Sequence, residues 1–197
     1  MIWLLAWTLL ATPPATHRDV IEVTTGLGGL FWESAGRNQI DSSNGTAISY
    51  RHHIQGRLWG GGTLLLNAFS GDPEFAQGPG LAQVDAMLYW RTPMDDWTLL
   101  LGGGVALSLV TSYRTLSEET DGQPAGHYSI WMPGIQLGGH AMVQMHIHPR
   151  LDLGLSLRYY SGLYKERCWE GQATVCQGTD MWMQNWFLGF SLSFHLR

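Results

Sequence analysis

The chain has 197 residues, of which only 14% are charged, and it contains 25 glycines and 10 tryptophans. About a quarter of a typical soluble protein is charged, so this composition does not fit an ordinary soluble enzyme. The net charge of −5 argues against a nucleic-acid partner, which would need a basic surface. The length suits a single domain, and single all-β barrels of this size are ordinary.

The first 15 residues are predicted to be a secretory signal peptide. An apolar core over residues 2–11 is followed by small residues and prolines, and cleavage is expected near Ala15. The positive charge that usually precedes such a core is missing. The alternative is a short buried helix, because an apolar run of about 10–14 residues can also be core. The barrel domain is expected over residues 20–197.

Eight segments alternate between apolar and polar side chains with a period of two, which predicts β-strands. All eight are longer than the mode of about 5–6 residues for globular strands. Each reaches or exceeds the roughly 9–11 residues that a tilted strand needs to cross a bilayer. In chain order the segments are 20–32, 46–54, 57–69, 81–91, 97–111, 130–147, 151–163 and 181–197.

The connections between these strands alternate between long and short. Polar loops are predicted over residues 33–45, 70–80, 112–126 and 164–180, and tight turns over 55–56, 93–95 and 148–150. The first loop ends in Asn44-Gly45, which is a turn signal. An even number of strands with long loops on one side and short turns on the other is typical of a transmembrane β-barrel. Both termini would then lie on the short-turn, periplasmic side.

The polar face of the strands is predicted to line a closed lumen. It holds small polar residues and charges of both signs, which suit a lumen because burying an unpaired charge costs several kcal/mol. Eight strands leave no aqueous channel, so an open pore is not expected. The predicted polar network of the lumen consists of Glu22, Arg51, His53, Asp85, Arg91, His140, His146, Asp152, Arg158 and His195.

Aromatic residues gather near the strand ends on the apolar face, which predicts two girdles at the membrane interfaces. A soluble, lipocalin-like ligand-binding barrel remains as an alternative, and in it the apolar face would point inward. The predicted girdle residues are Phe31, Trp90, Trp97, Tyr159, Trp182, Trp186 and Phe194.

This pattern resembles the small eight-stranded outer-membrane barrels typified by the OmpA transmembrane domain and OmpX. The resemblance implies an all-β, eight-stranded antiparallel up-and-down barrel in the outer membrane of a Gram-negative bacterium. It implies a monomer with a structural or surface-interaction role, in contact with membrane lipid and assembled by the barrel-assembly machinery. Chains of that family usually end on an outward aromatic residue. Here Phe194 is followed by three more residues.

His127 and Ser129 resemble the His-x-Ser motif of a lipid A deacylase, which is another outer-membrane barrel. Residues at i and i+2 on a strand share a face, so the serine could have its base within reach. In that family the motif lies on the penultimate strand, where this chain has Tyr159 in place of the histidine, and a glutamate follows on the last strand, where this chain has none. We therefore expect no enzyme, with the lipid-modifying hydrolase as the alternative.

Histidines near the short-turn end could bind a transition metal through their imidazole nitrogens. His146 and His148 share a parity, and five other residues are expected near the same level: His53, His195, Glu22, Asp152 and Arg91. A hydrogen-bonded plug is the simpler interpretation, so we expect no metal and no cofactor.

The two cysteines, Cys168 and Cys176, lie in one polar segment. Export would place them in an oxidising compartment, which predicts a disulfide within the loop. The predicted loops carry more acidic than basic residues. We interpret them as a solvated face, and the sequence identifies no loop ligand.

Overall fold

The computed structural model describes residues 18–34, 37–69, 77–116, 125–171 and 174–196. The signal-peptide prediction concerns residues 1–15, which lie outside these ranges. No helix in the described residues is long and apolar enough to cross a membrane.

The described residues form eight β-strands in one closed, antiparallel barrel. Each strand pairs with its neighbours in the chain, and β1 also pairs with β8 to close the ring. The predicted eight-stranded up-and-down barrel is therefore confirmed. The strands are β1 (Asp19–Ser34), β2 (Arg37–Gln55), β3 (Leu58–Phe69), β4 (Gln77–Met94), β5 (Trp97–Leu116), β6 (Gly126–His148), β7 (Leu151–Glu170) and β8 (Thr174–Leu196).

Three short turns lie at one end of the barrel, together with the first residues of β1 and the last residues of β8. The turns join β2 to β3, β4 to β5 and β6 to β7, and β1 begins beside the end of β8. Gly56 and Asp95 occupy the left-handed region there, with φ of 57° and 31°. Glycine adopts this conformation without steric cost, and a short aspartate side chain tolerates it. We call this end of the barrel the short-turn end.

At the opposite end, the strands continue well beyond the predicted boundaries. Asn44 and Gly45 are not a turn, because they lie within β2 opposite Leu27 and Gly26. The predicted polar loop over residues 33–45 is therefore wrong. Once strands rise above the membrane, water contacts both faces and the alternation of side chains fades. The backbone groups still need hydrogen-bond partners, and continued pairing of the two strands supplies them.

The other predicted loops are also shorter than expected. β4 begins at Gln77, β5 extends to Leu116, and β7 extends to Glu170. β7 pairs with β8 as far as Thr174, so most of the predicted cysteine-bearing loop is an extended hairpin. The end opposite the turns is therefore built largely of paired strands.

The outer wall of the barrel is apolar and the inner wall is polar or tightly packed. Leu137 is 71% exposed and Phe190 is 76% exposed, whereas their neighbours Gln136 and Gly189 are buried. We call this outer surface the apolar belt. A water-exposed wall of this composition would be strongly unfavourable, whereas hydrocarbon surrounds it without cost. The soluble alternative is not supported, because it needs the apolar face inside.

Side chains of the described residues pack the lumen in both of its halves. A large apolar cluster occupies its middle and its short-turn half, and a second cluster occupies the opposite half. The first cluster contains Val20, Ala47, Trp59, Leu65, Met87, Tyr89, Leu100, Ala106, Met142, Tyr160 and Phe187. The second contains Leu30, Phe69, Leu81, Val110, Tyr164, Met181 and Met183.

Glycines on the inner wall make room for the largest of these side chains. Gly138 pairs with Tyr160 on the neighbouring strand, and Gly134 pairs with Tyr164. A Cβ atom at Gly138 would lie 2.4 Å from a carbon of the Tyr160 ring, and one at Gly134 would lie 2.5 Å from the Tyr164 ring. The tyrosine rings therefore lie against bare backbone, which only glycine provides.

Candidate functional site: the lumen network and the short-turn mouth

Four charged side chains form a buried network at the centre of the lumen. Arg51 donates a hydrogen bond to Glu22 over 2.7 Å. Arg158 lies between two carboxylates, with its nitrogens 3.4 Å from Glu22 and 3.5 Å from Asp85. Two cations and two anions balance here, so no net charge is buried, and such pairing is what makes buried charge tolerable.

Neutral groups add further hydrogen bonds to this central network, although the buried Asp85 Oδ1 and Arg158 Nε atoms have no hydrogen-bond partner among the described residues. Arg158 donates to the hydroxyl oxygens of Ser49 and Thr63, each over 2.8 Å. Tyr160 donates to the Asp85 carboxylate. These bonds join four strands, β2, β3, β4 and β7, and fix one arrangement of the network. The sequence prediction identified the charged members of the network but missed these hydroxyl groups. In the sequence, only their position on the polar face of the strands indicated that these residues could join the network.

His140 lies buried beside the central network. Its Nε2 atom is 2.8 Å from the Ser156 hydroxyl, and its ring packs edge-on against Tyr89. The Arg51 guanidinium lies over the ring of the same Tyr89, 5.9 Å from its centre. The structure therefore places His140 in the same packed layer as the charged residues.

Two of the predicted network residues instead pack against Trp59. The centre of the His53 ring lies 5.2 Å from the centre of the Trp59 ring. The Arg91 guanidinium carbon also lies 5.2 Å from the centre of the Trp59 ring. The His53 Nε2 atom is also 3.0 Å from the Gly56 carbonyl oxygen in the nearby turn. Trp59 closes this part of the short-turn end, and the sequence indicated it only as an aromatic residue on the polar face.

Asp152 joins two histidines at the short-turn mouth of the lumen. Its Oδ1 atom is 2.6 Å from His146 Nδ1, and its Oδ2 atom is 2.7 Å from His195 Nε2. Asp152 is buried, whereas His146 is the most exposed of the three. The Thr98 hydroxyl lies 3.0 Å from His146 Nε2. The ten predicted network residues thus divide into the central network with His140, the Trp59 group and this group, which we call the mouth cluster.

The predicted girdle residues all lie on the outer wall. Tyr159 and Trp186 face each other across β7 and β8 and are 46% and 40% exposed. Trp97 and Phe194 lie near the short-turn end, and Trp182 lies toward the opposite end. Polar edges of these rings find partners: Tyr159 donates to Gln184, and the Trp182 indole donates to Ser161. Phe31 and Trp90 are half-buried on the same wall.

Tyr50 is an outward aromatic residue that the sequence prediction missed. It lies opposite Ile21, which in turn faces Phe194. Its hydroxyl donates to Asp19, which lies at the start of β1 below the apolar belt. The hydrogen bond from Tyr50 lowers the pKa of the Asp19 carboxyl, and a second bond from His52 adds to this effect.

His127 and Ser129 lie near the end of β6 that is far from the short turns. His127 is exposed and Ser129 is half-buried. Ser129 lies opposite Glu170 on β7. These residues are therefore on the extended hairpins and remote from the central network.

Cys168 and Cys176 form a disulfide, as predicted. The two residues lie directly opposite each other in the paired extensions of β7 and β8. The bond therefore joins two paired strands. The expectation that it lies in an irregular loop is wrong, because β7 and β8 remain paired beyond their predicted ends.

These features define a membrane-spanning β-barrel with the fold of the small outer-membrane barrels. No family model matches the sequence, and no curated protein matches it. Neisserial surface protein A is similar in structure, with a TM-score of 0.60, 13% identity, and coverage of 90% of this chain and 97% of that chain. A major outer-membrane protein of Thermus thermophilus has a TM-score of 0.59 and 12% identity, with coverage of 92% of this chain and 100% of that chain.

OprG of Pseudomonas aeruginosa is a third similar structure, with a TM-score of 0.54 and 9% identity. The alignment covers 91% of this chain and 98% of that chain. At these identities the likeness is one of fold. It confirms the expected resemblance to the eight-stranded outer-membrane barrels at that level.

Proposed function

We propose that this chain is an integral outer-membrane protein of a Gram-negative bacterium with a structural or surface-interaction role, and that it is not an open pore. The filled lumen carries this proposal. Glu22, Arg51, Asp85 and Arg158 are each at most 5% exposed, and apolar clusters lie on both sides of them. A solute would have to break this network to pass.

The outer wall supports the membrane part of the proposal. The apolar belt is bounded by aromatic residues, and the rings of Tyr159 and Trp182 carry hydrogen-bonded polar edges, as side chains at a lipid–water interface do. The partner of this wall is membrane lipid. We infer that the barrel acts as a monomer, because its strands leave no unpaired edge among the described residues.

A direct test measures permeability and membrane insertion together. The purified barrel is refolded into lipid vesicles, and its folded state is checked by its heat-dependent migration on an SDS gel. We expect no uptake of small sugars above that of protein-free vesicles, with a general porin as the positive control. Uptake close to that of the porin would contradict the sealed lumen. Solubility of the folded chain without detergent would contradict the membrane barrel.

We infer a non-catalytic role, and mass spectrometry of lipid A tests it against the hydrolase alternative. The lipid is compared in cells with and without the protein, and in cells that express Ser129→Ala. We expect the same acyl pattern in all three. Loss of an acyl chain that requires Ser129 would favour the hydrolase instead.

A further inference from the structure

We propose that the mouth cluster, His146, Asp152 and His195, is a binding site for a divalent transition metal of the zinc type. One ligand atom from each residue, two imidazole nitrogens and a carboxylate oxygen, lies within 4.8 Å of the other two. Two imidazoles and one carboxylate are a donor set that zinc and its neighbours in the first row accept, whereas calcium and magnesium prefer oxygen ligands alone.

The separations within the cluster are close to those that a metal would need. Zinc bonds of about 2.0–2.2 Å in tetrahedral geometry place ligand atoms about 3.4 Å apart. The two nitrogens now lie 2.6 and 2.7 Å from the oxygens of Asp152. Entry of the metal therefore requires each nitrogen to move away from its carboxylate oxygen by less than about 1 Å. It also requires the two ligand nitrogens, which lie within 4.8 Å of each other, to come to about 3.4 Å apart.

The backbone holds the ligand residues in position before a metal arrives. His146 lies directly opposite Asp152 in the β6–β7 pairing. The His195 amide donates to the Arg150 carbonyl over 3.0 Å, and the His146 amide donates to the Asp96 carbonyl over 3.0 Å. Three neighbouring strands thus present the ligands from one rim of the barrel, and sites on such rigid elements are well preorganised.

Thr98 allows His146 to change its role when a metal binds. When the ring carries its proton on Nδ1 alone, His146 donates to Asp152 and the Thr98 hydroxyl donates to Nε2. With metal on Nδ1, the proton lies on Nε2, and the same hydroxyl accepts from it, since a hydroxyl both donates and accepts. A buried outer partner of this kind fixes the ring and its tautomer in metal sites.

Exposure and charge at the mouth set the conditions for binding. His146 is exposed, so the metal can enter from solvent at the short-turn end, and three protein ligands leave a position for water. Arg51 is already paired with Glu22, but Arg91 interacts electrostatically with Asp152 and opposes a second cation. The site also assigns a role to His195, which directly follows Phe194, because a metal on His195 would link the end of β8 to β6 and β7.

Isothermal titration of the untagged, folded barrel in detergent with Zn²⁺ tests the proposal. We expect one ion per barrel, and at least tenfold weaker binding in Asp152→Asn, His146→Gln and His195→Gln. His148→Gln is the matched control, because His148 is exposed at the end of β6 and is not part of the mouth cluster, and it should bind as the wild type does. Thr98→Val should weaken binding about 10–100-fold if Thr98 orients His146. Arg91→Gln should strengthen it severalfold.

Co²⁺ absorption gives a second measurement that does not depend on a variant. We expect the wild-type barrel with Co²⁺ to show the intense visible bands of a low-coordinate site, and Zn²⁺ to remove them. Heat-dependent gel migration shows that each variant is folded. The proposal is overturned if the folded wild type binds no Zn²⁺, or if Asp152→Asn or His195→Gln keeps the wild-type affinity.

Discussion

The Arg158 guanidinium lies 3.4 Å from the Glu22 carboxylate, and both side chains are fully buried. Arg158 is on β7 and Glu22 is on β1, and the strand between them in the barrel is β8. The ion pair therefore passes over the strand that closes the ring. It holds the first and the last hairpins of the barrel together from inside.

Replacing Arg158 by methionine should lower the free energy of unfolding by about 3–5 kcal/mol, because Asp85 would lose its cation in a buried setting. Urea unfolding of the barrel in lipid vesicles, followed by tryptophan fluorescence, measures this. Lys165→Met is the control, since Lys165 is exposed further along β7 and should change stability by no more than about 0.5 kcal/mol. A loss for Arg158→Met as small as that of the control would show that the central network adds little.

Two adjacent glycines should respond differently to alanine. Gly138→Ala places a methyl group against the Tyr160 ring, displaces the hydroxyl from Asp85, and should cost about 1–3 kcal/mol. Gly139 faces outward, and its nearest heavy atom would lie 3.9 Å from the new carbon, so Gly139→Ala should be neutral or slightly stabilising. The same unfolding measurement compares them, and equal losses would mean that the contact with Tyr160 is not the cause.

The loss of folding free energy caused by a charged residue on the outer wall should depend on the position of that residue along β6. Leu137→Arg, in the middle of the strand, should reduce the free energy of folding into a bilayer by about 2–4 kcal/mol. Ile147→Arg, one residue from the end of the same strand, should cost only about 0–1 kcal/mol. Refolding equilibria in vesicles measure both. Similar costs at the two positions would place Leu137 outside the hydrocarbon.

Loss of the disulfide should affect the hairpin extension and leave the barrel intact. The bond joins residues that are eight positions apart, and it lies beyond the apolar belt. In the double variant Cys168→Ser, Cys176→Ser, a protease added to vesicles should cut the tip of the β7–β8 hairpin faster. The urea midpoint of the barrel should not change. A large fall of that midpoint would instead show that the extension and the barrel unfold as one unit.

The alternation of side chains was sufficient to predict the fold and both faces of every strand. One face of each strand forms the apolar belt and the other packs in the lumen, so the type of each residue indicates the side on which it lies. Phe194 and Ser193, for example, fall on the predicted sides of β8. Beyond the membrane this contrast ends, and composition alone made Asn44-Gly45 resemble a turn.

The pairing of charges across the lumen could not be predicted in the same way. Alternation indicates that Glu22 and Arg158 both point inward, but their contact depends on the stagger between strands and on the barrel's width. The same holds for His195, which reaches Asp152 on the neighbouring strand. The histidines were predicted to lie at one level, but the geometry of the mouth cluster required the strand register.

Among the described residues, the strands on one side of the barrel are much longer than β3 on the other side. β3 has 12 residues, whereas β6 and β8 each have 23. The side with the longer strands extends beyond the apolar belt as a paired ribbon, which the disulfide crosslinks near its tip. A molecule that docks on this ribbon would meet a surface already in its final shape. Little conformational entropy would then be lost on contact, so even a small footprint could give useful affinity.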